Sequence, residues 1–300
     1  MNTSPGGPGT PEGLEVLDDL RPLMFSIAYR MTGSVGDAED IVQEAVIRTY
    51  RAARQGTMVE SPKAFVTTTT TRLAIDHLRS ARVRREAYVG TWLPEPLVTD
   101  PAPGPAERAE MSDSLSLAFL VLLESLSPVE RAVFLLREVF GYDYGEIAEA
   151  VGKSEPNCRQ IFARARRHVD EGRPRFEASR RQGIELTERF LAALSGGDIE
   201  AFIDLLAPDV TMYGDGGGKA PAASAPVYGR EQVARLLRGL ARQAEKWIAE
   251  VRPAQVNGQP GVIAYDRDGN LFGVMAFEYA DGQVQAIRSQ INPDKLRHLQ

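Results

Sequence analysis

Apolar positions in the first third of the chain recur with the period of a helix. In Gly36–Tyr50, Ala38, Ile41, Val42, Ala45, Val46 and Tyr50 fall three or four residues apart and trace one stripe. Asp37, Glu39 and Asp40 precede that stripe, where acids suit the positive end of a helix. A further helix is expected from Ser61-Pro62, with serine as cap and proline in the first turn. It has to pass through Thr67–Thr71, a β-branched run that favours strands, before Leu73, Ala74, Ile75 and Leu78 restore the helical pattern. Residues Leu14–Val83 thus read as an all-helical block, and 14–86 as the first domain.

Pattern then gives way to punctuation. Val89–Arg108, VGTWLPEPLVTDPAPGPAER, is proline-rich and reads as an extended linker, residues 87–110, with no element of its own. Trp92 and Leu93 are an unusual pair to leave uncovered in such a segment. A second helical block, 111–175, follows as capped helices. Ser127–Glu130 is a capping box with proline at the first helical position, Asp143 opens a short helix that stops at Gly152, and Ser154 caps another. Two short helices joined by a glycine turn are the helix-turn-helix signature. On the last helix Cys158, Ile161, Phe162, Ala165 and Val169 form the inward stripe, while Asn157, Gln160, Arg164 and Arg167 share the opposite face. Those side chains suit base edges and phosphates in a major groove.

The third block, 180–300, mixes periods. Ile184–Leu194, Ile199–Leu206 and Arg230–Arg242 read as amphipathic helices; Trp247–Val256, Val262–Tyr265, Leu271–Tyr279 and Val284–Ile291 read as strands. Asn257-Gly258, Asp268-Gly269 and Asp281-Gly282 separate the strands as hairpin turns. Helices followed by an antiparallel meander predict an α+β domain with a curved sheet wrapped on helices.

Composition and charge refine this picture. Three hundred residues suit about two or three domains. Met1–Gly13 is rich in proline and glycine and reads as a disordered tail without a leader pattern, and no apolar run reaches membrane-span length. The lone Cys158 excludes an internal disulfide, fits a cytoplasmic protein and falls on the core side of its helix. The net charge of −6 argues against nucleic acid until it is mapped. Lys63–Glu86 holds six basic and two acidic residues and Lys153–Arg175 seven and three, whereas the intervening Ala87–Gly152 holds three and eleven. Two basic segments flanking an acidic one suggest two contacts with a polyanion. Over Arg180–Gln300 fourteen basic residues meet fifteen acidic ones, so the third block is no obvious nucleic-acid binder.

One stretch invites a catalytic reading. Met212–Ala222, MYGDGGGKAPA, sets three glycines before a lysine. A phosphate-binding loop needs glycine where Tyr213 stands and serine or threonine where Ala220 stands, and no βαβ unit surrounds it. A flexible turn remains possible. So does a docking loop in which Gly216, Gly217 and Gly218 admit a close backbone approach, with Asp215 and Lys219 as polar anchors.

The two helical blocks match a family. GSVGDAEDIVQEAVIRTY with SPKAFVTTTTTRLAIDHLRSARVRRE resembles region 2 of extracytoplasmic-function sigma factors of the sigma-70 family, and LSPVERAVFLLREVFGYDYGEIAEAVGKSEPNCRQIFARARRHV resembles their region 4. The remainder is similar to a SnoaL-like domain, the cone-shaped α+β fold also used by ketosteroid isomerases. WLPEP, DGGGK and NPDKL resemble the motifs of the SigJ-like subgroup, which carries that domain at its C-terminus. Phe65 stands where the family often has tryptophan.

The resemblance implies partners and roles. Core RNA polymerase would be met through its β′ clamp helices and β flap, with Asp37, Asp40, Gln43 and Glu44 facing the clamp. Lys63, Phe65, Arg72, Asp76, Arg79, Arg82, Arg84 and Arg85 would read and melt the −10 element, in the loop and helix from about Thr57 to Arg85. Ser154, Asn157, Arg159, Gln160, Arg164, Arg166 and Arg167 would engage the −35 element. Regulatory docking would join Trp92, Leu93, Pro94, Glu95 and Pro96 to Asp215, Gly216, Gly217, Gly218 and Lys219, and to Asn292, Pro293, Asp294, Lys295 and Leu296. On this reading the third domain controls the factor in cis, with no separate anti-sigma protein required, no membrane partner, no cofactor, no metal and no catalysis. Two alternatives stay open for that domain, a small-molecule sensor or an isomerase or cyclase for which Asp209, Tyr213, Asp215 and Tyr228 have suitable chemistry. A helix-turn-helix repressor acting without polymerase fits the second block alone.

Overall fold

The computed structural model describes residues 11–55, 61–86, 88–99, 114–172, 180–195 and 199–300. The expected N-terminal tail up to residue 10, the loop at Thr57 and linker residues 100–110 lie outside the described residues. Two compact units emerge, Met1–Glu86 with Leu122–Arg173, and Ala87–Val121 with Pro174–Gln300.

The first unit is helical. α1 (Pro11–Thr32), α2 (Val35–Arg54) and α3 (Pro62–Glu86) bury Leu17, Met24, Val42, Ala45, Val46 and Val66 together. Ser34 caps α2 by accepting from the Asp37 amide at 3.1 Å. The threonine run stays helical because it is buried: Thr70 and Thr71 are fully enclosed, and burial overrides β propensity. From the second block come α5 (Pro128–Glu138), α6 (Tyr144–Val151) and α7 (Glu155–Gly172). Reciprocal capping boxes, Ser127 with Glu130 and Asp143 with Glu146, start α5 and α6. Gly152 ends α6 with φ of 65°, the left-handed conformation that glycine adopts without steric cost.

The second unit contains a seven-stranded sheet of order β1-β4-β5-β6-β7-β2-β3. Its strands are β1 (Val98–Thr99), β2 (Leu206–Asp215), β3 (Val227–Tyr228), β4 (Glu250–Val256), β5 (Gln259–Tyr265), β6 (Leu271–Ala280) and β7 (Gln283–Gln290). Asn257 and Asp281 take φ of 52° and 51°, and Gly258 and Gly282 each take 74°, so both dipeptides turn as the sequence predicts. Against one sheet face lie α8 (Arg180–Ser195), α9 (Ile199–Ile203) and α10 (Arg230–Trp247). Between them Phe190, Phe202 and Phe277 meet in tilted and edge-on contacts with centroids 4.3 to 6.1 Å apart, so aromatic rings fill the cone. The opposite face buries Ala254, Val256, Ile263, Val274 and Leu296 together with Leu117, the first residue of α4 (Leu117–Leu123).

Four expectations change, the first being that the helix expected at Ile199–Leu206 ends at Ile203 and Leu206 opens β2. The sheet is mixed, because β2 runs parallel to β7, Met212 opposite Ile287 and Asp215 opposite Gln290. The linker is not free of elements: Val98 and Thr99 pair antiparallel with Val256 and Gln255 of β4. And α10 continues through Trp247, so the strand starts at Glu250.

Candidate functional site

The second unit holds a buried polar centre where three separated sequence motifs meet. Asp215 ends β2 with no solvent exposure. Its carboxylate accepts from the Leu93 amide at 2.8 Å, the Lys295 ammonium at 2.7 Å, the Gly217 amide at 3.0 Å, the Gln290 side chain at 3.2 Å and the Tyr88 hydroxyl. Lys295 donates also to the Leu93 carbonyl at 2.6 Å, and its ammonium lies 4.6 Å from the Tyr88 ring centre and 4.4 Å from that of Trp92. Burial, then the hydrogen bond to Asp215, pushes the Tyr88 phenol well above its ordinary value.

The linker is therefore threaded through a charge-paired clamp. Leu93, Pro94 and Pro96 are buried. His298 Nε2 lies 2.8 Å from the Pro96 carbonyl. Asn257 accepts from the Leu97 amide at 2.9 Å and donates to the Leu115 carbonyl at 2.9 Å. A buried ion pair pays off only when its remaining valences are filled, and here five donors surround one carboxylate.

The glycine run has a steric cause. A Cβ on Gly216 would sit 2.1 Å from the Ala220 carbonyl oxygen, and one on Gly217, whose φ is 57°, 2.1 Å from Asn292 Nδ2. Asn292 in turn donates to the Tyr88 hydroxyl at 2.9 Å and caps the turn Pro293–Lys295 by accepting from Asp294. Lys219 is not the partner of Asp215: it pairs with Asp294 at the surface, and Lys295 is the buried cation. The sequence separates these two lysines only by position, and burial assigns their roles.

The carboxylate and phenols with catalytic chemistry do not gather. Asp209 and Tyr228 are exposed, Asp215 lies in the clamp, and Tyr213 lies under Arg288, whose guanidinium carbon is 4.8 Å from the ring centre. Arg288 also pairs with Glu278, and burial pushes its guanidinium down to about 10.

In the first unit the last helix of the helix-turn-helix presents its polar face outward. Ser154, Asn157, Arg159, Gln160, Arg164, Arg166 and Arg167 are all exposed, while Cys158, Ile161, Phe162, Ala165 and Val169 are buried. Arg164 lies 2.8 Å from Glu130, whose carboxyl is held below its usual range by Ser127 first and by Arg164 as well. Arg159 is bonded to Glu155 at 3.0 Å and lies over Tyr144. On α2, Asp40 and Gln43 are exposed, Asp37 lies 3.1 Å from His77 and Glu44 pairs with Arg48. On α3, Lys63 and Arg79 are exposed, Phe65 is half-buried and Asp76 lies 3.3 Å from Arg79. Arg82, Arg84 and Arg85 lie on the last turns of α3.

The two helical blocks bond to each other, which no local pattern in the chain announces. Arg72 donates to the Glu149 and Ala150 carbonyls at the C-terminal end of α6, at 2.6 and 3.1 Å. Thr67 shares a hydrogen bond with Tyr142, and Lys63 lies 5.8 Å from the Tyr142 ring centre. Arg131 donates to the Met31 carbonyl and to Glu124, and its burial pushes it down to about 9. Arg30 lies over Phe140.

Three family models match the chain: Sigma-70 region 2 over residues 16–84, Sigma-70 region 4 over 116–169 and a SnoaL-like domain over 187–289. The ECF RNA polymerase sigma factor SigJ of Mycobacterium tuberculosis is 39% identical over 288 residues, covering 92% of this chain and 90% of its own length. This chain belongs to the extracytoplasmic-function sigma factors. The "Probable ECF RNA polymerase sigma factor SigI" of the same species is 33% identical over 283 residues, 93% of either chain. The crystal structure of Mycobacterium tuberculosis SigJ matches with a TM-score of 0.74 at 35% identity, over 94% of this chain and 98% of that one. As a sigma factor of this family the protein acts in transcription initiation, with core RNA polymerase and promoter DNA as partners. Membership implies a non-enzymatic protein, although the SnoaL-like fold serves enzymes elsewhere. No helix among the described residues is long and apolar enough to cross a membrane.

Proposed function

We propose that this sigma factor is governed in cis by its own C-terminal domain, which holds the linker between regions 2 and 4. The carrying observation is the Asp215–Lys295 pair closed around the Leu93 backbone. A sigma factor must hold two DNA-reading modules at the distance separating −10 from −35, and the linker sets their reach. A domain that fixes residues 88–99 shortens the free tether and so biases that distance. The bonds between regions 2 and 4 support the same reading, because Arg72 and Lys63, two residues assigned to the −10 element, then contact region 4. Release of the clamp and separation of the regions form one docking switch.

In the released state Asp37, Asp40, Gln43 and Glu44 meet the polymerase β′ clamp helices, and region 4 meets the β flap. Lys63, Phe65, Arg72, Asp76, Arg79, Arg82, Arg84 and Arg85 act at −10; Ser154, Asn157, Arg159, Gln160, Arg164, Arg166 and Arg167 act at −35. The factor works in the cytoplasm, needs no separate anti-sigma protein and performs no catalysis of its own. The test is transcription in vitro with core polymerase, comparing the full chain with chains ended near residues 180 and 290. Output changes in at least one truncation; equal output from all three chains refutes cis control. Arg164→Ala, at an exposed position of the recognition helix, checks the DNA assignment in the same assay and lowers output from the cognate promoter.

A further inference from the structure

The balanced charge of the third block hides a one-sided helix. Arg230, Arg235, Arg238, Arg242 and Lys246, five of its fourteen basic residues, lie on α10. Arg235, Arg238 and Arg242 stand three, four and seven residues apart, which places three guanidinium groups in one column over about 10.5 Å of axis. With Arg230 and one acid, Glu231, they line a groove of about 550 Å³ between α10 and α9, alongside Ile203, Ala234 and Gly239.

Like charges one turn apart repel, and only the middle one has been neutralised. Glu200 of α9 receives a two-pronged bond from Arg238, both contacts at 2.6 Å. Arg235 and Arg242 are exposed and have no ionic partner among the described residues. A small ligand would call for polar groups converging on one point in an enclosed cavity. Here the cations stand in line along an open wall, and arginine is the side chain best shaped for phosphate.

We infer that the α10 column is a third contact to promoter DNA, made by the SnoaL-like domain to the phosphodiester backbone. Arg235 and Arg242 each neutralise one phosphate, and Glu200 keeps Arg238 from adding another. Such a contact strengthens binding to any sequence and is strongly salt-dependent, whereas the base-reading face of region 4 sets specificity. This inference rests on the protein acting at promoters as a sigma factor and is independent of the linker clamp.

The test measures affinity of the reconstituted holoenzyme for linear promoter duplex against salt concentration. Arg235→Ala/Arg242→Ala flattens the slope of log K against log salt by about 1.8, two contacts at about 0.9 each. Glu200→Gln frees Arg238 and steepens it by about 0.9. Arg235→Lys/Arg242→Lys keeps the original slope. An unchanged slope in the double alanine variant overturns the contact. So does a loss that appears only in affinity for core polymerase, which would assign the column to an acidic protein surface. Asp215→Asn, which loosens the clamp, leaves the α10 increment in place, so failure of cis control and failure of this contact are read separately.

Discussion

Thr67 of α3 and Tyr142, at the turn before α6, share a hydrogen bond of 2.8 Å although 75 residues separate them in the chain. That bond ties the end of region 4's first helix-turn to the buried threonine row of region 2. Tyr142→Phe keeps the ring under Lys63, removes the hydroxyl and lowers stability by about 1 kcal/mol in urea unfolding. A double-mutant cycle with Thr67→Val returns a coupling of about 0.5–1.5 kcal/mol. Strict additivity of the two substitutions would mean that the bond contributes nothing.

Asp215→Ala leaves the Lys295 ammonium buried without its anion, and the penalty is on the order of 3–5 kcal/mol. Lys295→Met on the same background returns much of that loss, since it removes the orphaned charge. Limited proteolysis reports the accompanying event: cleavage within residues 88–99 is slow in the wild type and fast in Asp215→Ala. Equal cleavage rates would detach the clamp from the linker.

Gly217→Ala places a methyl against Asn292 at a φ of 57°, and destabilises by about 1–3 kcal/mol. Gly218→Ala meets only Val89, at 3.4 Å, so it bears the left-handed backbone cost alone, about 1 kcal/mol. Thermal melts that rank the two the other way contradict the close approach of Asn292.

Tyr88 and Tyr279 both carry phenols raised above the ordinary value of 10.0, chiefly by burial. The folded state therefore favours their neutral forms. The stability they contribute is complete below pH about 10 and is lost as pH rises beyond it, where the unfolded chain ionises first. In an absorbance titration the Tyr88 and Tyr279 phenols stay protonated until the fold gives way. Ionisation of both while the circular dichroism is still native would contradict this, and Tyr88→Phe reduces the alkaline loss.

Local signals were legible where one element decides its own form. The stripe on α7 and the caps Ser127 and Asp143 were readable because spacing and capping are properties of a few consecutive residues. The motifs WLPEP, DGGGK and NPDKL stand out in the sequence, but which of their side chains bond to one another does not. Asp215 chooses Lys295 over Lys219 because only the former is buried beside it, a fact of tertiary packing. The parallel register of β2 on β7 is equally hidden, since the two strands are far apart in sequence and parallel pairing leaves no turn signal. The family resemblance and its charge make Arg72 a −10 candidate, and nothing local announces the α6 carbonyls that it meets.

The two-residue strand Val98–Thr99 has one more consequence. It covers the end of β4 at Gln255 and Val256, whose amides and carbonyls would otherwise lie on the open margin of the sheet. An uncovered margin is a template for pairing with another chain. The segment that couples the DNA-reading modules is thus also the edge guard of the domain that holds it. The pairing of Val98 and Thr99 with Gln255 and Val256 holds the linker and closes part of that margin with the same backbone bonds.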